Sequence, residues 1–117
     1  MFRTLMITAT AVLFSTAAFA DPMATRYDNT TVITNAKGEV TKIHYNKDNT
    51  FEAMGPQGTM KGTWAITDGT LCLTQTEPAP AADAKPICNP VAEHAVGDKW
   101  EMGEGDAKVM IELVAGR

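Results

Sequence analysis

Hydrophobic and polar residues alternate along most of the chain from residue 30 onward, and a period of two residues is typical of β-strands. The clearest segment is 59–73. Its apolar side chains share one face of a predicted hairpin: Met60, Trp64, Ile66, Leu71 and Leu73. The dipeptide Asp68-Gly69 between the two halves suits a type I′ turn. Cys72 is expected to face away from the apolar side.

The same alternation predicts further short strands, separated by turns rich in glycine, proline, asparagine or aspartate. These strands cover residues 31–35, 40–46, 51–55, 91–95, 99–103 and 107–115. Residues 78–86 show no pattern and predict an exposed loop, and residues 21–29 predict a flexible N-terminal segment. Seven or eight strands with short loops predict an all-β domain over residues 30–117. We expect a small antiparallel meander barrel, with a β-sandwich as the alternative.

Residues 1–20 have the features of a cleaved signal peptide: a basic start at Arg3, an apolar run and the small-x-small pattern Ala18-Phe19-Ala20. The apolar run is shorter than the roughly 20 residues that cross a bilayer as a helix. We therefore expect a periplasmic or secreted protein that does not span the membrane and is a monomer.

Cys72 and Cys88 are the two cysteines of the chain. In an oxidising compartment two such cysteines are expected to form a disulfide, and neither belongs to a Cys-x-x-Cys motif. A bridge across a loop of this size stabilises a small domain by about 3 kcal/mol in the chain-entropy model. The sequence thus predicts one structural disulfide.

Charge and composition exclude several classes of function. After removal of the predicted signal peptide, which contains Arg3, the chain has nine basic and 14 acidic residues and a net charge of −5. It has no cluster of lysine or arginine that would bind nucleic acid. The only serine, Ser15, lies in the predicted signal peptide, which excludes a serine hydrolase. With both cysteines bridged, few nucleophiles remain, and we expect a protein that is not an enzyme.

Metal and cofactor binding are not expected from the ligands available. His44 and His94 have no partner at zinc-ligand spacing, and a methionine on an apolar face usually fills the core. The one acidic cluster comprises Glu101, Glu104 and Asp106, with Glu112 on the next predicted strand. It is interpreted as a solvated turn; a metal-dependent or carboxylate-based hydrolase is the alternative.

Aromatic residues on the apolar faces supply a candidate ligand pocket. In a barrel with an open mouth the pocket would be lined by Trp64, Trp100, Tyr45 and Phe51; alternatively the two tryptophans close the ends of the core. Arg26 and Tyr27 precede the first strand. They are expected to plug one end of the barrel or to bind a partner.

The hairpin motif also carries a resemblance. Gly62-Thr63-Trp64-Ala65-Ile66, then Asp68-Gly69-Thr70-Leu71-Cys72-Leu73 and the later Cys88, resemble a pattern in small secreted proteobacterial proteins with lipocalin-type or avidin-type barrels. The resemblance covers residues 59–88 and implies a barrel rather than an activity.

Two families of similar size are periplasmic lysozyme inhibitors and metalloprotease inhibitors. The lysozyme inhibitors present a serine-bearing loop, which this chain lacks. The metalloprotease inhibitors insert an N-terminal segment into the protease, as residues 21–29 would. We expect a non-enzymatic protein that binds an envelope protein or a small apolar ligand, with a protease inhibitor as a further alternative.

Overall fold

The computed structural model describes residues 21–117, so the predicted signal peptide lies outside the described residues. The described chain forms eight β-strands and one 3₁₀ turn, Gly105–Ala107. The strands are β1 Thr30–Asn35, β2 Val40–Tyr45, β3 Thr50–Gly55, β4 Gly58–Thr67, β5 Thr70–Glu77, β6 Ile87–Pro90, β7 Lys99–Met102 and β8 Val109–Val114. Every strand pair is antiparallel, which confirms the all-β prediction. Among these residues no helix has the length and apolar character needed to cross a membrane.

The eight strands form one sheet in the order β6-β5-β4-β3-β2-β1-β8-β7. Strands β1 to β6 are a meander, and the β7–β8 hairpin joins its free side because β8 pairs with β1. The sheet curls into a half-barrel, and β6 and β7 remain unpaired with each other in the described chain. The predicted small antiparallel barrel is therefore confirmed as an architecture, with an opening between β6 and β7.

The β4–β5 hairpin follows the predicted pattern closely. Trp64 lies opposite Leu73 on the concave face, and the next inward pair is Ile66 and Leu71. Asp68 and Gly69 have φ angles of 50° and 74°, the left-handed conformations that a type I′ turn requires at both central positions. Local turn chemistry and the apolar face thus specify the same register.

Gly62 lies at an irregularity in the pairing of β4 with β5. The register between β4 and β5 shifts between Lys61 and Gly62. A Cβ atom on Gly62 would lie 2.0 Å from the Thr74 carbonyl oxygen and 2.7 Å from Cε1 of Phe51. Only glycine therefore fits where the Phe51 ring covers the bulged backbone.

The predicted strand at residues 91–95 is not formed. The last strand before the opening is β6, whose register is set by the pair Cys72–Cys88 and the adjacent pair Leu73–Ile87. After Pro90 the chain leaves β5 and becomes the connection 91–98 to β7. Val91 and Ala92 of this connection line the concave side without joining the ladder, whereas Val96 is exposed.

Residues 21–29 form consecutive turns packed at one end of the half-barrel, unlike the loose tail that the sequence suggested. Met23 is fully buried in a cluster with Tyr45, Phe51 and Trp64. Burying a methionine side chain stabilises a fold by about 1.5–3 kcal/mol. The segment is held at this end because its methionine completes the core.

Candidate functional site

The concave side of the sheet surrounds a cavity of about 410 Å³. Its wall is mainly apolar, because the inward positions of the alternating strands converge there. All eight strands contribute apolar side chains to it, among them Ile33, Ile43, Met60, Leu73, Met102 and Ile111. The inward-facing Ile33, Leu71 and Leu73 are only half-buried. The concave face is thus an apolar surface that the chain itself does not fully cover.

One end of the cavity is closed by two segments, residues 21–29 and the connection 91–98, and we refer to it as the closed end. The Thr25 hydroxyl donates a hydrogen bond to the His94 carbonyl oxygen at 2.6 Å. Arg26 Nη2 donates to the Ala92 carbonyl oxygen at 3.3 Å. These bonds bring the N-terminal segment to the connection that bridges β6 and β7.

The opposite end lies among the loops 36–39 and 56–57, and we refer to it as the loop end. A second cavity of about 390 Å³ is located there. It shares the lining residues Thr41, Ala53 and Met60 with the main cavity. The concave space therefore continues toward exposed loops at this end.

Arg26 places a positive charge at the closed end of the cavity. Its side chain is 5% exposed, and Nη1 donates to the Pro22 carbonyl oxygen. The guanidinium carbon lies 5.8 Å from the centre of the Trp100 ring, within the range of a cation–π contact. Burial lowers the pKa of Arg26, but an arginine in a protein stays protonated at neutral pH.

The Asp21 carboxylate favours the charged form of Arg26 and opposes the effect of burial on its pKa. Its two oxygens are hydrogen-bonded elsewhere: Oδ1 accepts from the Met23 amide at 2.9 Å and Oδ2 from the Tyr27 hydroxyl at 3.0 Å. Within residues 21–117 no carboxylate forms an ion pair with Arg26. The buried guanidinium is held by carbonyl dipoles and an aromatic ring rather than by an opposite charge.

Thr31 and Tyr45 add two hydroxyl groups to the same end. Thr31 is 4% exposed, lines the cavity, and its Oγ1 has no hydrogen-bond partner in the described part of the chain. Thr31 pairs with Ile43, so Tyr45 is the next inward residue of β2 toward the closed end. Burial raises the pKa of Tyr45 to about 12, so its phenol stays neutral at physiological pH.

His94 and Trp100 form a stacked pair on the cavity wall. Their ring centroids are 3.4 Å apart and their planes differ by 2°. His94 Nδ1 lies 3.6 Å from Asp98 Oδ2, which holds the ring in the connection 91–98. His44 is on the convex side, with Nε2 at 3.2 Å from the Thr30 hydroxyl. Across residues 21–117, no group of three His, Cys, Asp or Glu side chains is placed to hold a metal ion.

The four aromatic residues proposed for the pocket have different locations. Tyr45, Phe51 and Trp100 line the main cavity. Trp64 is buried in the adjacent core, where Nε1 donates to the Asn46 carbonyl oxygen at 2.9 Å and the Tyr27 ring lies 6.1 Å away. Trp64 thus belongs to the core that packs against the cavity at its closed end.

The two residues suggested for partner binding also separate. Arg26 faces the cavity, and its burial leaves little surface for a protein partner. Tyr27 packs near Trp64, and its hydroxyl donates a hydrogen bond to Asp21 Oδ2. The structure therefore places both residues in the segment 21–29 at the closed end.

Sequence reasoning did not single out Thr31 or His94 as cavity residues. The alternation places Thr31 on the same face as Ile33, and this was the available signal. His94 lies in the connection that was assigned to a strand, and its stacking partner Trp100 comes from another element. Its position depends on a contact that no local pattern encodes.

The acidic cluster lies on exposed surface near the β7–β8 connection. Glu101 Oε2 is 2.7 Å from Lys108 Nζ, and Glu112 Oε1 is 3.9 Å from Lys99 Nζ. Glu104 and Asp106 are also exposed. These carboxylates are outside the main cavity, so the cluster and the cavity are separate features.

The predicted disulfide between Cys72 and Cys88 is present and joins β5 to β6. Such a bridge is typical of proteins in oxidising compartments. Comparison with protein-family models, with curated proteins and with solved structures gave no match to this chain. The concave cavity is consequently the feature on which a functional assignment must rest.

Proposed function

We propose that this protein is a non-enzymatic binding protein that holds a small apolar ligand inside its half-barrel. The observation that carries the proposal is the apolar cavity of about 410 Å³ on the concave face. Small-molecule sites typically measure about 300–1,000 Å³ and combine apolar walls with a few polar groups. The cavity has this composition, with its polar groups collected at the closed end.

Incomplete coverage of the concave face supports occupancy by a ligand. Ile33, Leu71 and Leu73 point inward yet are only partly buried. Apolar surface removed from water contributes about 25 cal/mol per Å². A ligand lying along these strands would therefore gain binding energy from surface that folding leaves open.

The polar groups at the closed end favour binding over chemistry. If the site catalysed a reaction, the deprotonated Tyr45 phenol would be a candidate nucleophile or base. Its raised pKa of about 12 keeps the phenol protonated at neutral pH. Arg26 is a charged donor and cannot act as a base at neutral pH. Their chemistry suits recognition of a ligand group, which supports a binding role rather than a hydrolase.

We place this role in the periplasm or outside the cell. The disulfide fits an oxidising compartment, and residues 1–20 have the sequence features of a signal peptide. Mass measurement of protein recovered from the exporting cell tests this placement. A mature chain beginning at Asp21 is expected, and an intact N-terminus with two free thiols would contradict it.

A protein partner is the second candidate, favoured by one observation. Ile87 is 60% exposed on β6, the edge strand that pairs with β5 and has no partner on its other side in the described chain. Unpaired edges accept an added strand from a partner. In contrast, the inhibitor-like use of residues 21–29 would require Met23 to leave the core, which does not favour that alternative.

Titration with the uncharged apolar dye Nile red tests the ligand proposal. Ala53 is buried and lines the cavity, so Ala53→Leu would fill part of it. Ala65 is exposed on the convex face of the neighbouring strand, which makes Ala65→Leu the matched control. We expect saturable dye fluorescence that Ala53→Leu weakens at least tenfold and Ala65→Leu leaves unchanged. Equal binding by both variants, or no saturable binding by the parent protein, would refute the proposal.

A further inference from the structure

We infer that the ligand of this cavity is a monoanionic amphiphile, an aliphatic chain ending in a carboxylate, and that Arg26 binds its charged group. This inference rests on the proposed ligand-binding function and specifies its chemistry. It is supported by two separate features at the closed end: the buried charge of Arg26, which has no carboxylate within ion-pairing distance in residues 21–117, and the unpartnered hydroxyl of Thr31.

The first feature is the buried charge. A guanidinium has five N–H donors, and buried charges in proteins are normally paired with an opposite charge. Arg26 is 5% exposed and donates to the carbonyl oxygens of Pro22 and Ala92. In the described chain no carboxylate lies within ion-pairing distance of it. A ligand carboxylate would supply a negative charge at ion-pairing distance and accept hydrogen bonds from guanidinium N–H groups.

The second feature is the Thr31 hydroxyl. It is buried, lines the same cavity and has no hydrogen-bond partner in residues 21–117. Leaving a buried polar group without a partner is unfavourable, so such groups in native proteins require an explanation. A carboxylate bound at Arg26 would accept a hydrogen bond from the Thr31 hydroxyl, and the neutral phenol of Tyr45 is a third donor at this end.

The remaining wall determines the rest of the ligand. Between the two ends the lining side chains include Leu73, Met60, Ile33 and Met102. These side chains can hold an aliphatic chain but offer it no hydrogen bonds. A single arginine balances one negative charge, which favours a carboxylate over a phosphate dianion.

Arg26 also has a structural role that must be separated from ligand binding. Its bonds to Pro22 and Ala92 tie the N-terminal segment to the connection 91–98. If this were its whole role, the cavity would not prefer anions. Comparison of two ligands with the same chain and different head groups distinguishes the two roles.

The experiment is calorimetric titration of the disulfide-bonded protein at neutral pH with decanoate and with decanol. A hydrogen bond to a charged group contributes enough free energy for decanoate to bind at least tenfold more tightly than decanol. Arg26→Met is expected to abolish this preference while changing decanol affinity less than about threefold. Arg26→Lys retains the positive charge and is expected to keep part of the preference.

Thr31→Val provides a test that does not alter the segment 21–29 or its contacts with the connection 91–98. The substitution removes the unpartnered hydroxyl and keeps the shape of the side chain, so the free protein should be at least as stable to heat. Decanoate affinity should nevertheless fall about threefold or more, and decanol affinity should fall less, because a hydrogen bond to a charged group is the stronger one. Unchanged decanoate affinity would remove Thr31 from the site.

The outcomes separate this inference from the proposed function. Equal binding of decanoate and decanol to the parent protein would overturn the anionic assignment and leave the apolar cavity as a ligand site. Persistence of the decanoate preference in a folded Arg26→Met variant would overturn the role of Arg26. Failure of both ligands and of Nile red to bind would refute the proposed function itself.

Discussion

Replacing both cysteines by alanine should loosen the β6 edge of the half-barrel. Cys72 and Cys88 are directly opposed in β5 and β6, with Cα atoms 4.1 Å apart. All four residues of β6 are exposed, and its pairing partner is β5. The preceding loop 78–86 is also exposed. The bridge therefore holds a strand that contributes little burial of its own.

The expected loss follows from the size of the loop. The two cysteines are separated by 16 residues, for which the chain-entropy model gives about 3 kcal/mol. This is a large share of the roughly 5–15 kcal/mol that stabilises a typical domain. The double variant Cys72→Ala/Cys88→Ala should lose about this free energy of unfolding in urea, followed by tryptophan fluorescence. Reduced parent protein should behave in the same way.

Amide hydrogen exchange locates the effect. The amides of β6 should lose protection first in the double variant, while those of β2 and β3 change only with global stability. A loss below about 1 kcal/mol, with β6 amides exchanging as slowly as in the parent protein, would refute the conclusion that the bridge anchors this edge.

Two further predictions concern the core. Gly62→Ala should lower the free energy of unfolding by about 1–3 kcal/mol, measured by urea denaturation, because the new Cβ would lie 2.0 Å from the Thr74 carbonyl oxygen; an unchanged midpoint would contradict the close packing over the bulge. Tyr45 makes the free energy of unfolding depend on alkaline pH, because the pKa of its phenol is about 12 in the folded protein and about 10 in the unfolded chain. The contribution of the neutral phenol to stability is therefore complete below pH 10 and is lost as the pH rises toward 12. The loss should reach about 2–3 kcal/mol, and melting curves between pH 9 and 12 should show a weaker decline for Tyr45→Phe; identical slopes would exclude this residue as the cause.

Local features of the sequence were sufficient to predict much of the fold. The β4–β5 hairpin followed from the alternation around Trp64 and from the Asp68-Gly69 turn, since both act between neighbours in the chain. The disulfide followed from the two cysteines available. The opening between β6 and β7 could not be predicted, because it depends on how the connection 91–98 packs rather than on any periodic pattern.

The closed end depends on contacts between distant parts of the chain. Met23 is buried because Tyr45, Phe51 and Trp64 come together from three strands to form its pocket. The same assembly buries Arg26 against the connection 91–98. The alternation placed Thr31 on the inner face, but the lack of a partner for its hydroxyl became visible only when the surrounding strands were in place.

The most direct test of the central claim is NMR of methionine methyl groups during titration with decanoate. Met60 and Met102 line the cavity, whereas Met54 and Met110 occupy convex positions of β3 and β8. A ligand in the half-barrel should shift the Met60 and Met102 methyl signals in a saturable manner and leave those of Met54 and Met110 nearly unchanged. Saturable shifts confined to Met54 and Met110, or no saturable shift at any of the four, would contradict ligand binding in the concave cavity.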